Sequence, residues 1–190
     1  MTATVVRIRR GFEVFRHVCI NCHPLAAFKL TDLKQLGFTF KQALLLVSRR
    51  KLSGYFVLPF PSEAKARSLN GGIVPPDLSF ELKQKTPQQV YKMLTGYSRG
   101  LVRSPDNLYY NRGFELGVTS MRPPLSKGCF KSCFKAPATT HQYSHDVIGF
   151  LDWVSEPWRP FRMRLTLPLL TVFLMSCVLT EMWANWETKS

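Results

Sequence analysis

Acidic side chains are scarce in this chain of 190 residues: 12 Asp and Glu stand against 26 Lys and Arg, a formal net charge of +14. Beside the plain meaning of a basic surface, such an excess points to nucleic acid, anionic lipid or an acidic protein partner. No nucleic-acid-binding motif is present, and the basic residues are spread along the chain instead of forming one block, so charge alone does not argue for nucleic acid. An even set of cysteines is missing as well, and five of them cannot complete a disulfide framework. There is no βαβ alternation, which removes the usual setting of a redox dithiol. No cleavable signal is legible. Apolar material is not lacking: 45% hydrophobic and 13% aromatic residues exclude wholesale disorder, and the length allows one domain plus an appendage.

The most informative stretch is Cys19-Ile20-Asn21-Cys22-His23, a C-x-x-C-H. One helical turn separates the thiols, so both can form thioethers with the vinyl groups of a single haem, and His23 then lies under the iron as its proximal nitrogen ligand. The same pair could be half of a zinc site, which needs four ligands; Cys129 and Cys133 could complete it. Cys177 sits in an apolar run and reads as a buried or lipid-facing thiol. The other face of a haem would need a ligand. Met121 stands just before Pro123-Pro124, and a methionine on a proline-braced loop suits that position, although a lone methionine is more often core filler. His141 and His145 compete for it, but they begin a helix and are read as surface residues.

Residues 1–18 carry Arg7, Arg9, Arg10 and Arg16 with one acid, Glu13, as a transit peptide would. Phe12, Phe15 and Val18 recur at helical spacing, however, so the stretch is read as the first helix of the domain, packing its aromatics against a haem edge. Thr31 to Arg50 offers two helical pieces, the second opened by a Thr39–Gln42 capping box. Ser62 caps a short helix that ends at Asn70-Gly71-Gly72, and Pro75-Pro76-Asp77-Leu78 is a rigid extended loop because neither proline donates an amide. Thr86-Pro87-Gln88-Gln89 starts a helix that Gly96 ends. Residues 98–120 read as a long irregular loop, and a helix opened by Thr139 and Gln142 runs to about Glu156. After Pro157 the chain changes character. Leu165 to Leu179 carry no charge and Trp183 and Trp186 follow, so a membrane anchor is favoured over a buried core helix. The expected architecture is a mostly α, loop-rich c-type cytochrome domain over residues 1–157, followed by a C-terminal transmembrane helix within 158–190.

The order of motifs resembles the cytochrome c1 family. Arg9-Arg10-Gly11-Phe12-Glu13-Val14-Phe15 is similar to its R-R-G-[YF]-x-V-[YF] lead-in, and Lys51-Leu52-Ser53-Gly54-Tyr55-Phe56 to its K-L-S-D-Y-F. Asn70 to Ser79 resembles N-G-A-x-P-P-D-L-S, Leu94-Thr95-Gly96-Tyr97 and Tyr109-Tyr110-Asn111 fall in the family order, and Met121-Arg122-Pro123-Pro124-Leu125 is similar to M-P-P-P-L. Val147 to Pro157 resembles D-V-x-x-F-L-x-W-x-x-E-P.

The resemblance implies one covalent haem c per chain, attached through Cys19 and Cys22, with His23 and Met121 as iron ligands. Tyr55 and the loop of Pro75, Pro76 and Leu78 would line it, and Arg50 or Arg49 would meet a propionate. It further implies an electron carrier of the respiratory cytochrome bc1 complex, not a catalyst on its own, in the mitochondrial inner membrane. The haem domain would lie in the intermembrane space and the C-terminus in the matrix. Cytochrome b, the Rieske iron–sulfur protein, other subunits, membrane lipid and a soluble cytochrome c would be its partners, and nucleic acid would not. A haem-free structural subunit, or an anchored c-type cytochrome of another oxidoreductase, are the alternatives. The chain departs from the family in a shorter His23–Lys51 segment, in Arg112, Gly113, Glu115 and Leu116, and in lacking the acidic surface that normally meets a basic cytochrome c. Either an acidic neighbouring subunit supplies that charge or the partner is itself unusual. Cys129 and Cys133 could form a disulfide bracing the Met121 loop.

Overall fold

The computed structural model describes residues 3–39, 41–43, 55–56, 59–98, 108–130 and 136–188. The chain divides into two compact units, Met1–Ser155 and Glu156–Ser190.

The first unit is built on two helices, α1 (Ala3–His17) and α5 (Thr140–Ser155). Apolar positions recur along α1 with helical spacing, and Ile8, Phe12 and Phe15 are buried there. They meet Val147, Phe150, Leu151 and Val154 of α5 in one continuous core. Four aromatic rings interlock at its centre. Phe12 lies 5.6 Å from Phe150 and 6.1 Å from Phe28, and Phe28 stands edge-on to Phe150 at 5.4 Å, a favourable arrangement of ring quadrupoles. Phe15 joins the same cluster, 5.7 Å from Phe150. The α1 aromatics expected at a haem edge therefore form the α1–α5 core, because α5 supplies a complementary apolar face that the sequence could not place beside them.

Gly11 sets how close the two helices come. A Cβ at this position would sit 2.0 Å from the Asp146 carbonyl oxygen and 2.6 Å from the Phe150 Cβ, so any side chain would hold the backbones apart. Beside the contact, the Arg10 guanidinium donates to both carboxylate oxygens of buried Asp146, at 2.9 and 2.7 Å. That fork fixes the rotation of α1 on α5.

The remaining elements are short. Strand β1 (Leu25–Lys29) pairs antiparallel with β2 (Tyr55–Phe56), and a 3-10 stretch, Leu30–Leu36, follows β1. Helices α2 (Glu63–Leu69), α3 (Glu81–Gln84) and α4 (Pro87–Thr95) come next. Their starts are local chemistry. Ser62 Oγ accepts from Lys65 N, and Thr86 and Gln89 exchange side-chain and backbone bonds in a capping box. Thr39 and Gln42 do the same at 2.9 and 3.2 Å, and the Thr139 hydroxyl accepts from Gln142 N at the head of α5. The first helical piece expected after Thr31 is 3-10, and most of the second lies outside the described residues. Within the expected irregular loop of 98–120, the described part forms a hairpin of β3 (Tyr109–Tyr110) and β4 (Val118–Thr119), with Tyr109 opposite Thr119. Two-residue strands carry too little alternation to be read from sequence.

The second unit is one helix, α6 (Arg159–Glu187). Its 27 residues Phe161–Glu187 are long and apolar enough to cross a membrane, and no residue of the most apolar window among them is buried; at 1.5 Å per residue they reach about 40 Å. The hydroxyl groups along it are satisfied internally. Thr166, Thr171, Ser176 and Thr180 each donate to a carbonyl three or four residues back, at 2.7–2.8 Å, as hydrocarbon surroundings demand. At the entrance Glu156 accepts from Arg159 at 3.3 Å and from Arg162 at 3.0 Å.

Gly11→Ala is expected to cost at least about 2 kcal/mol, because the added methyl overpacks a helix–helix contact that cannot yield without moving α5. Thermal unfolding of the detergent-solubilised full chain, followed by circular dichroism, checks this; an unchanged midpoint would remove Gly11 as the determinant of the crossing.

Candidate functional site

The C-x-x-C-H motif sits where α1 ends. After Val18 the chain tightens into a 3-10 turn over Cys19–Asn21, and the Cys19 carbonyl accepts from Cys22 N at 3.1 Å and His23 N at 2.9 Å. Buried Ile20 anchors the turn in the core. Asn21 closes the helix, its Nδ2 donating to the carbonyls of His17 at 3.0 Å and Val18 at 3.1 Å, two acceptors that a helix end otherwise leaves open. Ile20, Asn21 and the Cys19 carbonyl thus hold the geometry, and the two thiols and the imidazole are left for chemistry.

His23 is oriented by a partner 53 positions away. Its Nδ1 lies 2.9 Å from the Pro76 carbonyl oxygen. A carbonyl only accepts, so Nδ1 carries the proton and, in the neutral ring, Nε2 keeps its lone pair for a metal. Burial lowers the His23 pKa below its ordinary value, opposed by the Pro76 bond and by the nearby carboxylates of Glu81 and Asp77. Burial also pushes the Cys19 thiol up to about 12. The Cys22 thiol is raised for the same reason, with Arg122 opposing the shift.

The loop that offers the Pro76 carbonyl is sewn to the strand after the motif. Leu78 N donates to the Pro24 carbonyl at 3.1 Å, Ala26 N to the Asp77 carboxylate at 3.0 Å and Ala27 N to Ser79 Oγ at 2.9 Å. Asp77 also accepts from Ser79 N at 2.7 Å, which shapes the loop as an Asx turn. Pro75 is buried and Leu78 packs on the core. The prolines are there because the loop must be stiff, but Asp77 and Ser79 hold it in place. Both stand in the Asn70–Ser79 motif, yet nothing near them in sequence signals this role, since each accepts from a backbone amide some 50 residues distant.

Met121 is half-buried and pinned on both sides. Its N donates to Thr119 Oγ1 at 3.1 Å, and its carbonyl accepts from the Tyr97 hydroxyl at 3.0 Å. Burial raises the Tyr97 pKa to about 12, with a hydrogen bond to Asn111 opposing it, so the phenol stays a donor. Asn111 is fully buried. It bridges to Tyr97, donates to the Met93 carbonyl at 2.7 Å and accepts from Gly113 N at 2.7 Å. The residues that depart from the family pattern are accommodated here: a Cβ at Gly113 would meet Lys92 backbone at 2.3 Å, so glycine lets the hairpin close on α4. Arg122, next to Met121, lies within charge reach of Cys22, and Cys129 within that of Cys19. The segment from Met121 to Cys129 thus runs past the motif.

The other expected residues divide clearly. His141 and His145 are exposed and engaged by Tyr91, His141 through a 2.6 Å bond to the phenol and His145 through a ring contact at 4.8 Å. No cluster of three or more His, Cys, Asp or Glu able to hold a metal ion occurs among the described residues, so the described cysteines do not assemble a zinc site. Cys129 is exposed with a free thiol, and Cys133 lies outside the described residues. Arg49 and Arg50 also lie outside them; the Tyr55 backbone pairs with Lys29. A cavity of about 370 Å³ lies beside the Arg10–Asp146 pair, and one of about 250 Å³ lies between α4 and the Pro123–Leu125 loop, lined in part by Tyr97 next to Met121.

A model of the Cytochrome C1 family matches residues 4–51 and 47–189. The chain is 32% identical over 197 residues to the mitochondrial cytochrome c1 haem protein of Schizosaccharomyces pombe, covering 93% of this chain and 64% of that protein. It is 33% identical over 171 residues to cytochrome c1-2 of Solanum tuberosum, covering 79% and 66%. It is 32% identical over 201 residues to the mitochondrial cytochrome b-c1 complex catalytic subunit of Candida albicans, covering 94% and 69%. The chain therefore spans about two thirds of the length of these relatives.

Asp77→Ala is expected to release two amides at a cost of about 1–2 kcal/mol, read as faster hydrogen exchange at Ala26 and Ser79 with the α1 amides unchanged; equal loss in α1 would mean that Asp77 supports the whole unit. In the haem-free chain, a Cys19 thiol of pKa about 12 is ionised to roughly one part in ten thousand at pH 8. Alkylation followed by mass spectrometry should modify exposed Cys129 first and Cys19 last, with the Cys19 rate rising about tenfold per pH unit up to pH 11. Equal rates for the two at pH 8 would contradict the burial.

Proposed function

The chain belongs to the cytochrome c1 family, and from that premise we propose that it is the electron-transfer subunit of a respiratory cytochrome bc1 complex, passing electrons from the Rieske iron–sulfur protein to a soluble cytochrome c. It is a carrier within a larger reductase and not an enzyme by itself. The observation that carries the reading is the 2.9 Å bond from His23 Nδ1 to the Pro76 carbonyl. It produces the one tautomer in which Nε2 can bind iron, and it does so beside two thiols spaced for one haem.

The residues present fit a covalent haem c, one per chain. Cys19 and Cys22 would hold the haem through two thioethers. Burial raises both thiol pKa values and keeps the free thiols protonated. His23 and Met121 would be the protein ligands of the iron. Pro75, Pro76 and Leu78 wall the site, with Tyr55 and Arg50 as further contacts. Bound there, the haem supplies a one-electron iron couple, which a His/Met ligand set holds at a raised potential. The protein's contribution is positional. Pro76 fixes the imidazole, and Tyr97 and Thr119 fix the backbone on either side of Met121, so little reorganisation accompanies a change of charge at the metal.

Helix α6 anchors the chain in the mitochondrial inner membrane, with the haem domain in the intermembrane space and the C-terminus in the matrix. Cytochrome b and other subunits of the complex surround it, with membrane lipid along α6. The arginines in the first turns of α6, Arg159, Arg162 and Arg164, would by themselves favour the opposite orientation, but large translocated domains override loop charge.

A pyridine haemochrome spectrum with haem staining on a denaturing gel tests the assignment: a c-type spectrum and haem that survives denaturation are expected. Met121→Ala should abolish the weak sulfur–iron band at the red end of the oxidised spectrum and lower the potential. Absence of covalent haem would leave a haem-free subunit as the better account.

A further inference from the structure

The first unit holds 22 Lys and Arg against 9 Asp and Glu, a net +13, and five of its carboxylates are spent on the fold. Asp146 is buried under Arg10, Glu13 under Arg16 at 2.9 Å, and Glu81 under Lys85 at 2.8 Å. Asp77 and Asp32 accept from backbone amides, the latter from Lys29 N at 2.8 Å. What remains outward is mainly positive, with Glu63 and Glu115 the exposed carboxylates among the described residues outside that set. Among the described residues Lys92, Arg112, Arg122 and Lys127 are exposed and have no carboxylate partner.

Two of these cations flank the site. Arg122 follows Met121 and lies within charge reach of Cys22, and Lys127 is on the same segment, two residues before Cys129. Arg112 is on the hairpin that delivers Met121, its N bonded to the Gly96 carbonyl at 3.0 Å beside Tyr97. An apolar patch adjoins them: Gly71 comes against Ser120, the residue before Met121, and Leu69 and Ile73 on either side of Gly71 are 60% and 52% exposed. A small apolar centre with a charged rim suits a transient protein contact.

We infer that this face, with Leu69 and Ile73 at its centre and Arg112, Arg122 and Lys127 on its rim, docks a soluble electron-transfer protein through an acidic surface on that partner. The inference rests on the proposed haem reading and specifies the charge of the partner, which is opposite in sign to that of a basic cytochrome c. Like charge on both sides would slow encounter, whereas opposite charge steers it and is screened by salt over roughly 8 Å at physiological ionic strength.

The test uses the full chain in detergent. Its haem content is first fixed by the haemochrome spectrum, so that failure to bind haem registers separately. Stopped-flow oxidation of the reduced protein is then followed with two soluble c-type cytochromes of opposite net charge as probes. The rate with the acidic cytochrome should fall about tenfold as ionic strength rises from ~10 to ~300 mM, and the rate with the basic one should rise or stay low. Arg122→Glu should slow the acidic probe several-fold at low salt, and Arg122→Lys should restore the rate, which a loss of structure would not allow. A rate that falls with salt for the basic probe, or no salt dependence for either, overturns the inference. So does an Arg122→Glu chain that keeps its haem and the wild-type rate with the acidic probe.

Discussion

The hydrogen bond between the His23 imidazole and the Pro76 carbonyl is the contact on which the site depends, because it joins two pieces of chain that have no sequence relation. On one side the imidazole is carried at the end of α1, whose position is set by the close approach of Gly11 to α5 and by the Arg10–Asp146 fork. On the other, the carbonyl belongs to a loop that could drift without Asp77 and Ser79, which fasten it to β1. Removing any link would leave the imidazole free to turn. The tautomer that leaves Nε2 available is thus a product of the whole first unit, although it appears as a single 2.9 Å distance.

A second, separate support holds Met121. Asn111 is a fully buried amide, costly unless satisfied. Its bonds to Met93 and Gly113 and its bridge to Tyr97 join the hairpin to α4, and Tyr97 in turn reaches the Met121 carbonyl. The chain departs from the family pattern at Arg112 and Gly113, yet Gly113 is what lets the hairpin backbone lie against Lys92. The departure changes which residues make the turn and keeps the support.

Charge is divided by role. Asp146, Glu13, Glu81, Asp77 and Asp32 are taken up by amides and basic side chains inside or at the edge of the fold, where a charge-assisted hydrogen bond stabilises most. Lysines and arginines, whose long stems reach water easily, are left outside. A strongly positive surface follows from that division as much as from composition. In α6 the same accounting takes another form: hydroxyls bond back to their own helix, and the apolar side chains face outward.

The local features were legible because their causes are local. The caps at Ser62, Thr86 and Thr139, the stop at Gly71-Gly72, the apolar length of α6 and the C-x-x-C-H turn each follow from a few adjacent residues. Periodicity showed that Phe12 and Phe15 share one face of α1, but it could not say what that face meets, and the structure gives them to Phe28 and Phe150. The hairpin of residues 109–119 was hidden because two-residue strands are defined by their partners and not by their own pattern. By itself, then, the sequence determined the ligand-bearing residue types, their spacing and the membrane-length tail, all of which depend on short-range geometry and hydropathy. Only the tertiary structure decided which imidazole nitrogen is free, which carboxylates are consumed inside the fold and which charges remain outside. Each of those is set by a partner that sequence distance conceals.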